Sequence, residues 1–207
     1  MRPLPRVHAF TDAGLLGDPE LGIRAAAIAA AGPAIALHAR ARGAGTRVLT
    51  AAALRLVALA RPPEAAVFVS GRSDIAAAVG AQGVQLANDD ITPADARRVL
   101  IHGWIGRSVH TRDEAASAVK EGTDFLVVGN IYKTESHPGR PGAGLDLVRD
   151  AAALGVPVIA IGGITPARAF EVRAAGAYGV AAIRALWHAP DPAAATLAML
   201  APWVGGP

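Results

Sequence analysis

Along the chain, short apolar runs rich in β-favouring residues alternate with longer alanine-rich runs. The short runs predict strands over Val7–Thr11, Ala34–Ala39, Ala66–Ser70, Gly83–Leu86, Trp104–His110, Phe125–Gly129, Val158–Ile161 and Gly179–Ile183. The runs between them predict helices, among them Leu21–Ala31, Thr46–Ala60, Thr111–Glu121 and Pro166–Ala175. Strand and helix in strict alternation imply a parallel sheet. Eight such repeats imply an α/β fold of the closed (β/α)8 TIM-barrel type. A doubly wound open sheet is the competing arrangement, because periodicity alone does not reveal closure.

No linker-like stretch divides the 207 residues, so 1–207 read as a single TIM-barrel domain. That length is short for the fold and requires tight connections. One connection breaks the rule: "GNIYKTESHPGRPGAGLD", Gly129 to Asp146, rich in Gly, Pro and polar residues. It is either a surface excursion or a lid. Its place after a strand, on the face where barrels hold their active sites, favours a lid over bound ligand.

Composition narrows the function classes. Hydrophobic residues make up 52% of the chain, as in a folded, soluble protein, and cysteine is absent. Disulfide and thiolate chemistry are thereby excluded, and a reducing cytoplasm is the expected location. The opening "MRPLPRVHAF" has no long apolar core, so no secretory signal is expected, and no apolar run is long enough for a membrane span. The formal charge is only +3, and lysine occurs only at Lys120 and Lys133. No basic block is interleaved with aromatics, which argues against a nucleic-acid partner.

The chemistry-bearing residues cluster at predicted strand ends. In "IGRSVHTRDEAASA", side chains alternate, so Gly106, Ser108 and His110 share one face and Ile105, Arg107 and Val109 the other. His110 then stands at the rim, where an imidazole suits proton transfer. It equally suits a helix cap or a bond to a neighbouring carbonyl. His38 and Arg40, Ser70, and Gln85 fall at other strand ends, as a pocket requires. "VIAIGGITPARA" puts Gly162-Gly163 between a strand and a helix starting near Thr165-Pro166. Glycines admit a ligand to the backbone, and helix N-termini attract phosphate. With the turn at Ile183-Arg184 they form a candidate phosphate site between strands seven and eight. Metal binding has weak support. Asp89-Asp90 is an isolated acidic pair, Ser70-Gly71 stands at the matching place after strand three, and His8, His102 and His188 show no ligand spacing.

The stretches "HAFTD", "SGRSDIA", "GVQLAND", "IGRSVHTRDEA", "GNIYKTESHPGRPGAGL" and "PVIAIGGITPARAFEVRAAGAYGVAAI" resemble the thiamine phosphate synthase/TenI superfamily over nearly the whole chain. The resemblance implies a (β/α)8 barrel of thiamin biosynthesis. In that superfamily the synthase joins hydroxymethylpyrimidine pyrophosphate to thiazole phosphate with magnesium. It resembles Q-x-R-x-K on strand two, N-D after strand three and T-x-T-K after strand six. Here Ala36, His38 and Arg40, then Ser70 and Gly71, then Thr134, Glu135, Ser136 and His137 occupy those positions. Only Asp90 remains as a candidate magnesium ligand.

The TenI branch, with N-G-R-V-D-I-A, V-Q-L and G-R-S-V-H, resembles this chain more closely, although His38-Ala39 replace its R-E on strand two. That branch implies a thiazole tautomerase, an isomerase that aromatises a carboxythiazole phosphate with no metal and no cofactor. His110 would transfer the proton. Ser108 would shape the pocket, Thr134 would meet the substrate carboxylate, and Gly162, Gly163, Ile183 and Arg184 would hold the phosphate. The expectation is therefore a tautomerase acting on a small phosphorylated thiazole, as a homodimer. The alternatives are the synthase itself and a non-catalytic phosphate-binding relative.

Overall fold

The computed structural model describes residues 3–41, 43–61, 64–133 and 142–204. The strands are β1 (Val7–Phe10), β2 (Ile35–Ala39), β3 (Ala66–Ser70), β4 (Gly83–Leu86), β5 (Trp104–Val109), β6 (Phe125–Val128), β7 (Val158–Ile161) and β8 (Gly179–Ala182). They pair in parallel in chain order, and β8 closes onto β1, with Val7 opposite Val180 and Ala9 opposite Ala182. This is the closed (β/α)8 barrel, and the open sheet is excluded.

The helices are α1 (Ala13–Leu16), α2 (Leu21–Ala29), α3 (Thr46–Ala60), α4 (Ser73–Ala78), α5 (Pro93–Val99), α6 (Arg112–Lys120), α7 (Gly144–Ala152), α8 (Pro166–Ala174), α9 (Arg184–Trp187) and α10 (Pro192–Leu200). None in the described residues is long and apolar enough to cross a membrane. The local reasons are legible. Thr92, Thr111 and Thr165 cap α5, α6 and α8, each hydroxyl accepting the N–H three residues on. Pro93 and Pro166 follow their caps directly, where a missing N–H costs nothing.

Two apolar layers result from strand alternation. Outward residues such as Val7, Leu37, Val67, Ile105 and Leu126 are buried against the helices. Inward residues, among them Phe10, Ala36, Phe68, Phe125, Val127 and Ile159, fill the barrel itself. Large and small alternate between neighbours. A Cβ on Gly83 would overlap the Phe68 ring, and one on Gly106 would overlap the Phe125 ring. The glycines of β4 and β5 therefore make room for the phenylalanines of β3 and β6.

The long connection is shorter than its composition suggests. Ile131 and Tyr132 donate their N–H groups to Ile161 and Gly162, extending the edge of β7, and Ala143 and Gly144 bond back to Asn130 and Ile131. Helix α7 then begins at Gly144, inside the stretch read as a loop. The proposed lid falls on 134–141, outside the described residues.

Candidate functional site

At the C-terminal ends of β3, β4 and β5, three side chains form one hydrogen-bonded row. The Gln85 amide nitrogen donates to the Leu86 carbonyl at 2.8 Å and to the Ser108 hydroxyl at 2.7 Å. Its oxygen accepts the Ser70 hydroxyl at 3.2 Å. The Leu86 carbonyl can only accept, so the orientation of the amide is fixed. Ser108 oxygen is then an acceptor toward Gln85, and its own O–H is directed elsewhere. Ser70 and Ser108 are half-buried and Gln85 is buried. Gly106 and Ser108 face inward, as alternation predicts.

His110 follows β5 at once and is exposed. Its Nδ1 bonds the buried Gly129 carbonyl, and its backbone N–H donates to the Glu114 carboxylate at 2.6 Å. The Glu114 N–H in turn bonds the Thr111 hydroxyl at 3.2 Å, so the carboxylate reaches back past the N-cap to the residue before it. Nδ1 must donate to a carbonyl, so the neutral ring carries its lone pair on Nε2. The bond to a neighbouring carbonyl is present and engages Nδ1 alone, which is compatible with proton transfer at Nε2.

Gly129 leads to the glycine turn. Gly162 and Gly163 have φ of +103° and +66°, where side-chain-bearing residues are strained. The Asn130 side chain occupies the space a Gly162 Cβ would need. The amide nitrogen of Asn130 is buried without a partner. Arg168 donates to the Gly163 carbonyl at 2.6 Å and stacks on the Tyr132 ring at 4.3 Å. Tyr132 donates to Glu171 at 2.7 Å, and burial together with that carboxylate pushes its phenol up to about 12. On the neighbouring strand, the Ile183 carbonyl turns the chain into α9 by accepting the Leu186 and Trp187 N–H groups, and Arg184 is exposed. The structure thus brings His110, Gly129, Asn130, Gly162 and Gly163 onto one arc of the rim, with Ile183 beside it.

The second strand departs from expectation. His38 is not a pocket-lining group. It is wholly buried inside the barrel, stacked on Phe10 at 3.8 Å and Phe68 at 4.9 Å and bonded to His8. The cause is register, because His38 stands opposite Phe10 and Phe68, one layer below the rim. Arg40, two residues further on, is half-buried at the mouth, and its N–H bonds the Thr11 hydroxyl at 2.9 Å. Thr134 lies outside the described residues.

Sequence reading also missed Arg107. It points outward from β5, is buried, and donates to the carbonyls of Asn88 at 3.0 Å and Ile91 at 2.8 Å. It therefore clamps the loop that presents Asp90. The only sequence signal was a cation on the apolar face of a strand.

The superfamily resemblance implies magnesium in one of its branches, and the residues allow a test of fit. Asp90 is half-buried at the rim, with Oδ2 held by the Ala87 N–H at 2.6 Å. Gly71 adjoins it, and no group of three or more metal-ligating side chains occurs among the described residues. One carboxylate fits magnesium that also takes oxygens from a pyrophosphate. It does not make a cage by itself.

A family model described as thiamine monophosphate synthase (TMP-TENI) matches residues 7–186. Among curated proteins, a thiamine-phosphate synthase of Thermus thermophilus is 42% identical over 173 residues, covering 83% of this chain and 84% of that protein. The thiamine-phosphate synthase of Salinispora tropica is 41% identical over 206 residues, covering 97% and 98%. Among solved structures, the thiamine phosphate pyrophosphorylase of Pyrococcus furiosus superposes with a TM-score of 0.78 at 32% identity, covering 94% of this chain and 93% of that one.

Proposed function

Because the chain belongs to the thiamine monophosphate synthase family, we propose that it is a thiamine-phosphate synthase, a transferase. The observation that carries this reading is the 41% identity across 97% of the chain to a protein of that name. The expectation of a thiazole tautomerase is corrected by the same relatives. Those at 38–44% identity carry the synthase name. The TenI-like spellings at 70–76 and 106–110 give no ground for an isomerase against those names.

The transfer forms one bond and breaks one. The thiazole ring nitrogen gives its lone pair to the methylene carbon of the pyrimidine. The electron pair of the carbon–oxygen bond leaves with pyrophosphate. The attacking nitrogen carries no proton to lose, so the step needs no general base. It needs two anionic partners held in line and the leaving charge stabilised. The Gly162-Gly163 turn before α8 suits the phosphate of the thiazole, with its backbone open and the N-terminus of a nine-residue helix beyond it. The Ser70–Gln85–Ser108 row offers fixed polar groups to the pyrimidine end. Asp90 would hold magnesium, which when bound supplies charge neutralisation for the departing pyrophosphate. Arg107 keeps the Asp90 loop in place.

The test is an assay of both reactions on purified protein, with and without EDTA. Thiamine phosphate formed from the two substrates, and lost with EDTA, supports the synthase. Aromatisation of the carboxythiazole phosphate without any coupling overturns it.

A further inference from the structure

Resting on the synthase reading, we propose that the free chain does not hold its divalent cation, and that the cation enters only together with the pyrophosphate-bearing substrate. The argument lies in how Asp90 and Gly71 face each other. Gly71 has φ +74°, and its N–H is fixed on the Gln85 carbonyl at 2.8 Å. A Cβ built there would lie 3.2 Å from both carboxylate oxygens of Asp90. A carboxylate at this position would thus stand beside Asp90 and complete a two-carboxylate site. Glycine supplies nothing.

The neighbouring acids do not fill the place. Glu114 is engaged by the His110 N–H at 2.6 Å, and Asp89 is exposed. Asp90 itself has Oδ2 accepting the Ala87 N–H, so part of its capacity is already taken. Magnesium sheds water reluctantly and is held by one or two carboxylates together with substrate phosphates. With a single carboxylate to offer, the protein cannot compensate that dehydration alone. A pyrophosphate brings several oxygens and the missing negative charge. The metal site is therefore half protein and half substrate, and binding is ordered.

Equilibrium dialysis against manganese ion, with the ion retained by the protein counted above a protein-free chamber of the same composition, tests this with no turnover. The native chain alone is expected to show no saturable uptake. With saturating inorganic pyrophosphate it is expected to take up the ion stoichiometrically. Asp90→Asn should weaken that joint uptake about tenfold or more, the scale on which lost support for a metal is felt. Gly71→Asp should create uptake without pyrophosphate, since Asp tolerates the left-handed region better than most residues. Saturable, stoichiometric uptake by the native chain alone would overturn the proposal while leaving the synthase reading intact. Calorimetry showing that pyrophosphate binds neither with nor without the ion would overturn the synthase reading, and this inference with it. The native titration decides the matter even where the Gly71 variant does not fold.

Discussion

Inside the barrel, Nδ1 of His8 lies 2.8 Å from Nε2 of His38. The other nitrogen of His8 faces the Pro5 carbonyl at 3.1 Å, and a carbonyl can only accept. His8 therefore carries its proton on Nε2 and accepts through Nδ1, and His38 must donate from Nε2. The chain of bonds ends there, because Nδ1 of His38 is buried with no partner. Both rings are neutral. Burial pushes His8 down to about 4 and, with the repulsion a proton on His38 would meet from a protonated His8 and from Arg40, pushes His38 well below the usual imidazole range.

This pair makes the fold acid-sensitive. An unfolded histidine takes up its proton near 6.5, while folded His8 waits until about 4. Between those values the unfolded chain binds more protons, so stability rises with pH and is lost as pH falls through the window. His8 alone should remove about 3 kcal/mol, at roughly 1.4 kcal/mol per pH unit. Urea unfolding at intervals across the window measures the slope. A stability unchanged from 6.5 down to 4 would refute the buried neutral pair.

Gly106 and Phe125 are complementary in volume, since a Cβ on the glycine would overlap the ring. Gly106→Ala should cost about 3 kcal/mol or more, the upper range for overpacking a core. Phe125→Leu in the same chain should recover part of that loss, although alone it leaves a void. A double-mutant cycle on urea midpoints is the check. Strictly additive losses would mean that the two positions do not share one space.

The barrel was legible because its signal is redundant. Eight short apolar runs separated by alanine-rich helices leave few other folds, and Thr46–Ala60 ends where its pattern ends. The inward face of β5 followed from alternation alone, and the Gly162-Gly163 turn from its position between strand and helix. His38 misled because alternation gives the face of a strand but not the height along the barrel. That height depends on pairing with β1 and β3, which are distant in sequence. Arg107 and Asn130 were missed for a related reason. Arg107 bonds backbone carbonyls of another loop and Asn130 fills the space beside Gly162, and neither relation leaves a mark in a sequence.

Arg107 should separate the two substrates. Arg107→Met leaves carbonyls of the Asp90 loop without their donor and should cost about 2–3 kcal/mol, the range for bonds to a charged group. In the synthase assay, KM for the pyrimidine pyrophosphate should rise while KM for thiazole phosphate stays near the native value, because Asp90 and the Gly162-Gly163 turn lie on different loops. Arg107→Lys should fall between, since an ammonium cannot span two carbonyls as a guanidinium does. Equal rises in both KM values would assign Arg107 to general stability instead.

His110 distinguishes proton transfer from positioning. Its Nδ1 bonds Gly129, whose carbonyl is otherwise buried beside the turn. Asparagine places an N–H where the imidazole Nδ1 stands, whereas alanine leaves the carbonyl unpaired. Loss of a general base lowers kcat by about 10²–10⁴-fold whichever residue replaces it. A step that moves no proton predicts a different pattern. His110→Asn should keep thiamine phosphate formation within about tenfold of native, and His110→Ala should fall roughly tenfold further, the effect of about 1.4 kcal/mol of lost hydrogen bonding. The pH profile of kcat should keep its shape in His110→Asn. Equal, hundredfold losses in both variants, with an acidic limb missing from the profile, would return the imidazole to the chemistry.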